Sequence, residues 1–162
     1  MLDFQDLYKT YVQDIYRFSY WLCGDAVEAE DITSDTFLRA WTHRDNIRTE
    51  TLRAYLLSIS RNLYLERLRK NKHHAELSER HPDPGPAVET VNEYRDEIKM
   101  FRNALQQIKE VDRTAFILRV QHELPYEEIA RVLGLSLSAV KVKVHRVRLK
   151  LISMVNDEET LS

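Results

Sequence analysis

Between Ser136 and Ile152 the chain carries five cations, Lys141, Lys143, Arg146, Arg148 and Lys150, and no acid. Lysine and arginine at such density reach phosphate oxygens, and arginine can also pair with a guanine edge. Val140, Val144, Val147 and Leu151 recur at steps of four, three and four, the spacing of one buried helix face. At 100° per residue, Ser138, Val142, His145 and Arg146 fall on the opposite side, with Lys141 and Lys143 on the flanks. Valine among cations is unusual on a solvated face but suits a surface that meets a thymine methyl. The candidate duplex-reading set is therefore Ser138, Lys141, Val142, Lys143, His145 and Arg146.

A reading helix needs a partner helix to brace it. Pro125, Glu127 and Glu128 suit the first turn of a helix whose buried side is Ile129, Ala130, Val132 and Leu133. Gly134 supplies a turn, Leu135 packs inward, and Ser136 or Ser138 caps the next helix. This is the helix-turn-helix plan.

The formal net charge of −2 conceals a strong segregation along the chain. Residues 1–45 are net −5, residues 46–74 net +5, residues 75–112 net −4 and residues 136–152 net +5. Two basic blocks between acidic segments suggest two separate phosphate contacts, although each block alone also fits a solvated helix face.

Upstream, Phe4, Leu7, Tyr8, Tyr11, Ile15, Phe18 and Leu22 mark an amphipathic helix, ended by Gly24 and followed by Asp25 as a cap. A second helix to about Trp41 follows, then a polar loop from Thr42 to Thr51. A third helix places Leu52, Tyr55, Leu56, Ile59 and Leu63 on one face and ends in the basic run Arg67–Lys70. Periodicity collapses from Asn71 to about Thr90, where Pro82, Pro84 and Pro86 remove donors and restrict their neighbours. The expected fold is all-α: two small helical domains joined by a flexible linker, the C-terminal one a helix-turn-helix. The expected boundaries are 1–72, a linker over 73–92, and 93–162.

With only 3 Gly and 4 Pro, strands and turns are scarce. The single Cys23 excludes an internal disulfide and a cysteine-rich zinc site, and it reads as a small buried residue rather than a redox switch. His73, His74 and His81 flank the proline-rich stretch without a cysteine partner and suit a solvated linker better than a metal site. No phosphate loop or catalytic set is visible, so neither an enzyme nor a cofactor or metal is expected. With no apolar run long enough for a bilayer and no leader segment, the expected location is cytoplasmic.

Three stretches resemble the extracytoplasmic-function (ECF) sigma factors, which belong to the sigma-70 family of bacterial RNA polymerase. Ala29-Glu30-Asp31-Ile32 with Phe37-Leu38-Arg39-Ala40-Trp41 resembles that family's "AED…F…AW" signature. Leu52 to Asn62 resembles "fraWL..iArN", with Tyr55 where Trp is usual and Ser60 where Ala is common. Leu124-Pro125-Tyr126-Glu127-Glu128-Ile129-Ala130, then Val140-Lys141 and His145-Arg146-Val147-Arg148, resembles the third signature. They occur in the family's order across nearly the whole chain.

The resemblance implies roles. Glu30, Asp31, Asp35, Leu38 and Arg39 would face the core polymerase, with Ser34 standing where the family usually has Gln. Asn62 occupies the position that contacts a flipped base of the promoter −10 element, and Arg53, Arg61, Arg67, Arg69 and Lys70 would track its backbone. The helix-turn-helix would read the duplex −35 element, with Ser138-Ala139 replacing the more frequent Gly-Thr. Implied partners are core polymerase, promoter DNA and an anti-sigma protein. A stand-alone helix-turn-helix regulator, acting as a homodimer on a palindromic site, is the alternative, and a purely protein-binding helical adaptor is a third.

Overall fold

The computed structural model describes residues 3–48, 51–77 and 93–161, and these are helical with short connections. Helix α1 (Phe4–Cys23) starts where the Asp3 carboxylate accepts from the Gln5 N–H at 3.1 Å. It stops at Gly24, whose φ of 74° lets its N–H donate back to the Tyr20 carbonyl at 2.7 Å. Asp25 then caps α2 (Ala26–Thr42) through the Val27 N–H. After a 3₁₀ turn (Arg44–Asn46), α3 (Leu52–Leu77) runs well past the basic run at which its end was expected. The linker expected over 73–92 thus begins as helix, and 78–92 lie outside the described residues.

The second half contains α4 (Glu93–Gln106), α5 (Glu110–Val120), α6 (Tyr126–Leu133) and α7 (Leu137–Leu161). In the first half, α1, α2 and α3 pack mutually around Ile15, Phe18, Leu22, Ile32, Phe37, Leu56 and Leu57, all buried. Each such side chain removed from water contributes about 1.5–3 kcal/mol. Where α2 crosses α3, the small buried Ser60 lets the helices approach and shares a 2.9 Å hydroxyl hydrogen bond with Thr36. That accounts for serine where the resemblance favoured alanine: the opposing threonine offers a partner.

The two halves do not stand apart. α5 lies against α1, α6 against α3, and α4 against α1, so one apolar cluster continues from Phe18 and Leu22 into Leu105, Ile117, Leu118 and Leu124. Polar contacts stitch the same junction. Gln106 donates to the Leu22 carbonyl at 2.9 Å, and a side chain at Gly24 would press on Gln106 at 3.3 Å. Buried Arg113 donates to the Tyr64 hydroxyl at 2.7 Å and to the Ile108 carbonyl at 2.9 Å. Among the described residues, no helix is long and apolar enough to cross a membrane.

Candidate nucleic-acid interface

The helix-turn-helix is built as its residues dictate. Pro125 stands just before α6, and the carboxylates of Glu127 and Glu128 complement the positive end of that helix. Gly134, at φ 66°, closes α6, and the Gly134 and Leu135 N–H groups both donate to the Ala130 carbonyl. Of the two candidate caps, Ser136 is the one used: its hydroxyl accepts from the Ala139 N–H at 3.2 Å. Ile129, Val140, Val144, Val147 and Leu151 are buried.

Opposite that stripe, Ser138, Lys141, Val142, His145 and Arg146 are all exposed on α7. Val142 is 47% exposed, so the apolar side chain among cations is real. Lys143 is the exception. It lies toward α5, half-buried, and donates to Asp112 at 2.8 Å. A position about 140° from the middle of the exposed face points back at the bundle. Tyr126, which the sequence did not single out for a role, lies under two cations: Arg119 is 4.1 Å and Lys141 5.7 Å from its ring centroid. Such contacts are worth about 0.5–1 kcal/mol at exposed sites and fix where the lysine stem lies.

On α3, Asn62, Arg69 and Lys70 are exposed. The other three cations of the proposed −10 set are engaged. Arg53 holds Asp14 of α1 through Nε at 2.8 Å and Nη2 at 3.2 Å. Arg61 holds Glu110 of α5 in the same two-point fashion, at 2.8 and 3.1 Å. Arg67 reaches Asp35 at 3.1 Å and Asp31 at 4.0 Å on α2.

Asp14 also accepts from His122 Nδ1 at 2.8 Å, and the imidazole is fully buried with its edge against Phe18. Burial works against the ionised carboxyl, but hydrogen bonds from His122 and Arg53 outweigh it and hold Asp14 well below the usual carboxylate range. Arg53 is raised above its ordinary value, chiefly by the hydrogen bond to Asp14. Asp14, Glu110, Arg113 and His122 were not among the residues singled out from the sequence. Only their partners across the junction reveal them.

The outward face of α2 presents Glu30, Asp31, Asp35 and the 60%-exposed Leu38 together, as the sequence suggested. Arg39 is half-buried and faces Glu66 of α3 at 3.4 Å. Beside them a cleft of about 730 Å³ opens between α2 and α3, lined by Leu38, His43, Leu63, Glu66, Arg67 and Lys70. Among the described residues, no group of three histidine, cysteine or carboxylate side chains is placed to hold a metal ion.

A family model described as Sigma-70 region 2 matches residues 7–74, and one described as Sigma-70, region 4 matches residues 98–151. The RNA polymerase sigma factor YlaC of Bacillus subtilis is 29% identical over 153 residues, covering 91% of this chain and 88% of that protein. SigM, an ECF sigma factor of the same organism, is 26% identical, with 94% and 98% covered. SigE of Mycolicibacterium smegmatis is 30% identical, with 93% of this chain and 61% of that protein covered. Among solved structures, the fold matches the sigma factor RpoE of Bartonella quintana, crystallised with the anti-sigma factor NepR. That match has a TM-score of 0.80 at 24% identity and covers 95% of this chain and 97% of that one.

Proposed function

This chain belongs to the sigma-70 family, and we propose that it is an alternative, ECF-type sigma factor that binds core RNA polymerase and directs promoter-specific initiation. It is an initiation factor rather than an enzyme, and it works in the cytoplasm, where the polymerase is. The observation that carries the reading is the presence, on one chain and in family order, of a region 2 helix set and an exposed helix-turn-helix reading face.

In this mechanism Glu30, Asp31, Asp35, Leu38 and Arg39 dock the polymerase through mixed charge and one apolar anchor. Asn62 takes the edge of an unstacked base, and Arg53, Arg61, Arg67, Arg69 and Lys70 follow the phosphates of the melted −10 strand. Ser138, Lys141, Val142, His145 and Arg146 read the −35 duplex, while Lys143 orients α7 from its place on Asp112. The units that do this work are 1–72 and 93–162. Two weak contacts on one chain become one strong one by effective concentration.

The closed junction adds a requirement. Arg53 and Arg61 reach phosphate only after giving up Asp14 and Glu110, and Glu110 sits on the second half. Promoter engagement therefore goes with separation of the halves, a change that polymerase binding supplies. An anti-sigma protein, of the kind seen with RpoE, is the natural partner for the closed or unloaded state.

The test is run-off transcription with purified bacterial core polymerase, with and without this protein, on promoters from its own genome. A new start site lost in Asn62→Ala, and separately in the Lys141→Ala, Arg146→Ala pair, supports the reading. Failure to bind core polymerase, with dimeric binding to a palindromic site instead, overturns it in favour of a stand-alone regulator.

A further inference from the structure

Helix α5 is a plate with two working sides. Glu110 takes Arg61 of α3, while Asp112, two positions on and about 200° around the helix, takes Lys143 of α7 at 2.8 Å. Arg113, on the Glu110 side, reaches the Tyr64 hydroxyl of α3 at 2.7 Å. The first half therefore lies against one side of α5 and the duplex-reading helix against the other. Helix α7 packs on α5, α6 and α4, with Val140, Val144, Val147 and Leu151 buried. Ser138, Lys141, Val142, His145 and Arg146 point away from that stripe and stay exposed while the junction is shut.

The strand-binding side of α3 is in the opposite condition. Arg53 and Arg61 are held by Asp14 and Glu110. Tyr55 and Ser58 of α3 face Glu128, Arg131 and Val132 of α6 across a cavity of about 210 Å³. One helix of the helix-turn-helix thus covers α3, and the other displays its reading residues to solvent.

A ligand shifts an equilibrium only by the difference in its affinity for the two states. Duplex DNA meets the same residues whether α5 is on α3 or off it, because α7 travels with α5 through the Lys143–Asp112 pair and the apolar packing between them. A single strand meets free Arg53 and Arg61 only when the halves are apart. We propose that the closed chain, without polymerase, already reads −35 duplex DNA, and that duplex binding neither opens the junction nor is strengthened by its opening. Strand binding alone is coupled to opening. Promoter contact is then ordered, duplex first, and full engagement still needs the halves to separate, driven by polymerase and the melted strand. The ordering rests on the reading of α7 as the duplex reader and α3 as the strand binder.

Two probes are titrated into the full chain by fluorescence anisotropy. One is a duplex of about 30 base pairs enriched on the protein from a random pool, the other a non-complementary single strand of about twelve nucleotides. The wild-type chain and Glu110→Gln bind the duplex within about twofold of each other, whereas Glu110→Gln binds the strand several-fold more tightly. Asp14→Asn, which frees Arg53 from the α1 side, supplies the same comparison where Glu110→Gln does not fold. Saturating duplex leaves the wild-type affinity for the strand within about threefold of its value alone, as reciprocity between uncoupled sites requires. Duplex binding about tenfold tighter in the loosened variants, or strand affinity raised about tenfold by duplex, overturns the proposal and leaves both DNA assignments standing. A duplex bound by neither wild type nor variant, or bound no more weakly after Lys141→Ala with Arg146→Ala, sinks the assignment of α7 itself and the proposal with it.

Discussion

Arg61 of α3 and Glu110 of α5, 49 positions apart, clasp each other through two hydrogen bonds of 2.8 and 3.1 Å across the junction of the two halves. Both side chains are more than four-fifths buried. A buried pair adds little net stability over an apolar substitute, but removing one partner leaves the other charge uncompensated.

Glu110→Gln is therefore expected to loosen the junction while sparing the α1–α3 core. The radius of gyration from small-angle scattering should rise, and affinity for a single-stranded −10 oligonucleotide should increase several-fold as Arg61 is freed. A loss of stability of about 3 kcal/mol is the scale for an uncompensated buried charge. Unchanged scattering together with unchanged single-strand affinity would argue that Arg61 does not gate −10 contact.

Acid should act on the junction through Asp14. Its folded-state carboxyl is held below the ordinary value of 3.8, so its stabilising effect is fully present above that value and is lost as the pH falls through the folded one. The wild-type denaturation midpoint should thus decline steeply below about pH 4. Asp14→Asn should lower the midpoint at neutral pH and flatten that acid limb. Parallel curves for the two proteins would show that Asp14 is not the group responsible.

Cys23 gives the opposite sign. Burial pushes its thiol up to about 11, partly offset by a hydrogen bond from the backbone at Asp25. The neutral thiol is the form the fold favours, so this contribution is complete below the unfolded value near 8.5 and fades as the pH rises through the folded one. Alkylation by iodoacetamide at pH 8 should be about a hundredfold slower in the native protein than in urea, and should accelerate toward the folded value. Equal rates would place the thiol in solvent.

The basic residues of α7 should sort into two kinds by salt dependence. Lys141→Ala or Arg146→Ala should weaken duplex binding and reduce the slope of log affinity against log salt by about one each. Lys143→Ala should leave that slope unchanged and lower thermal stability instead, because its ammonium is on Asp112. Val142→Ala should alter base preference with little change in slope. A slope change for Lys143→Ala equal to that for Lys141→Ala would mean that Asp112 does not retain its lysine on DNA.

Local chemistry was legible in the sequence wherever a short-range signal determined it. Gly24-Asp25 marked the turn between the first two helices, and Val140, Val144, Val147 and Leu151 marked the buried side of α7. The exposed set Ser138, Val142, His145 and Arg146 followed from that stripe by helical geometry alone. Invisible were relationships between residues far apart in the chain. Arg53 and Arg61 looked like free cations because nothing local says that Asp14 and Glu110 will meet them. The charge segregation was read as two surfaces kept apart by a linker, whereas part of it is complementarity: acids of α1 and α5 neutralise cations of α3. His122 and Arg113 gave no periodic or motif signal, since each meets a side-chain partner that lies on the other half.

The hydrogen bond between Asp14 and His122 spans 108 positions of chain. Contacts of such separation carry the largest loop-closure entropy and form after the local ones. Helices α1–α3, whose turns are short, can assemble first, leaving the Asp14–Arg53 pair in place before His122 arrives. On this ground the junction is expected to be the last part of the molecule to form and the first to open. Amide exchange should rank it so, with protons at the α5–α6 turn opening at lower free energy than those in the middle of α1. Under the mechanism proposed above, folding and promoter engagement would share one step, run in opposite directions.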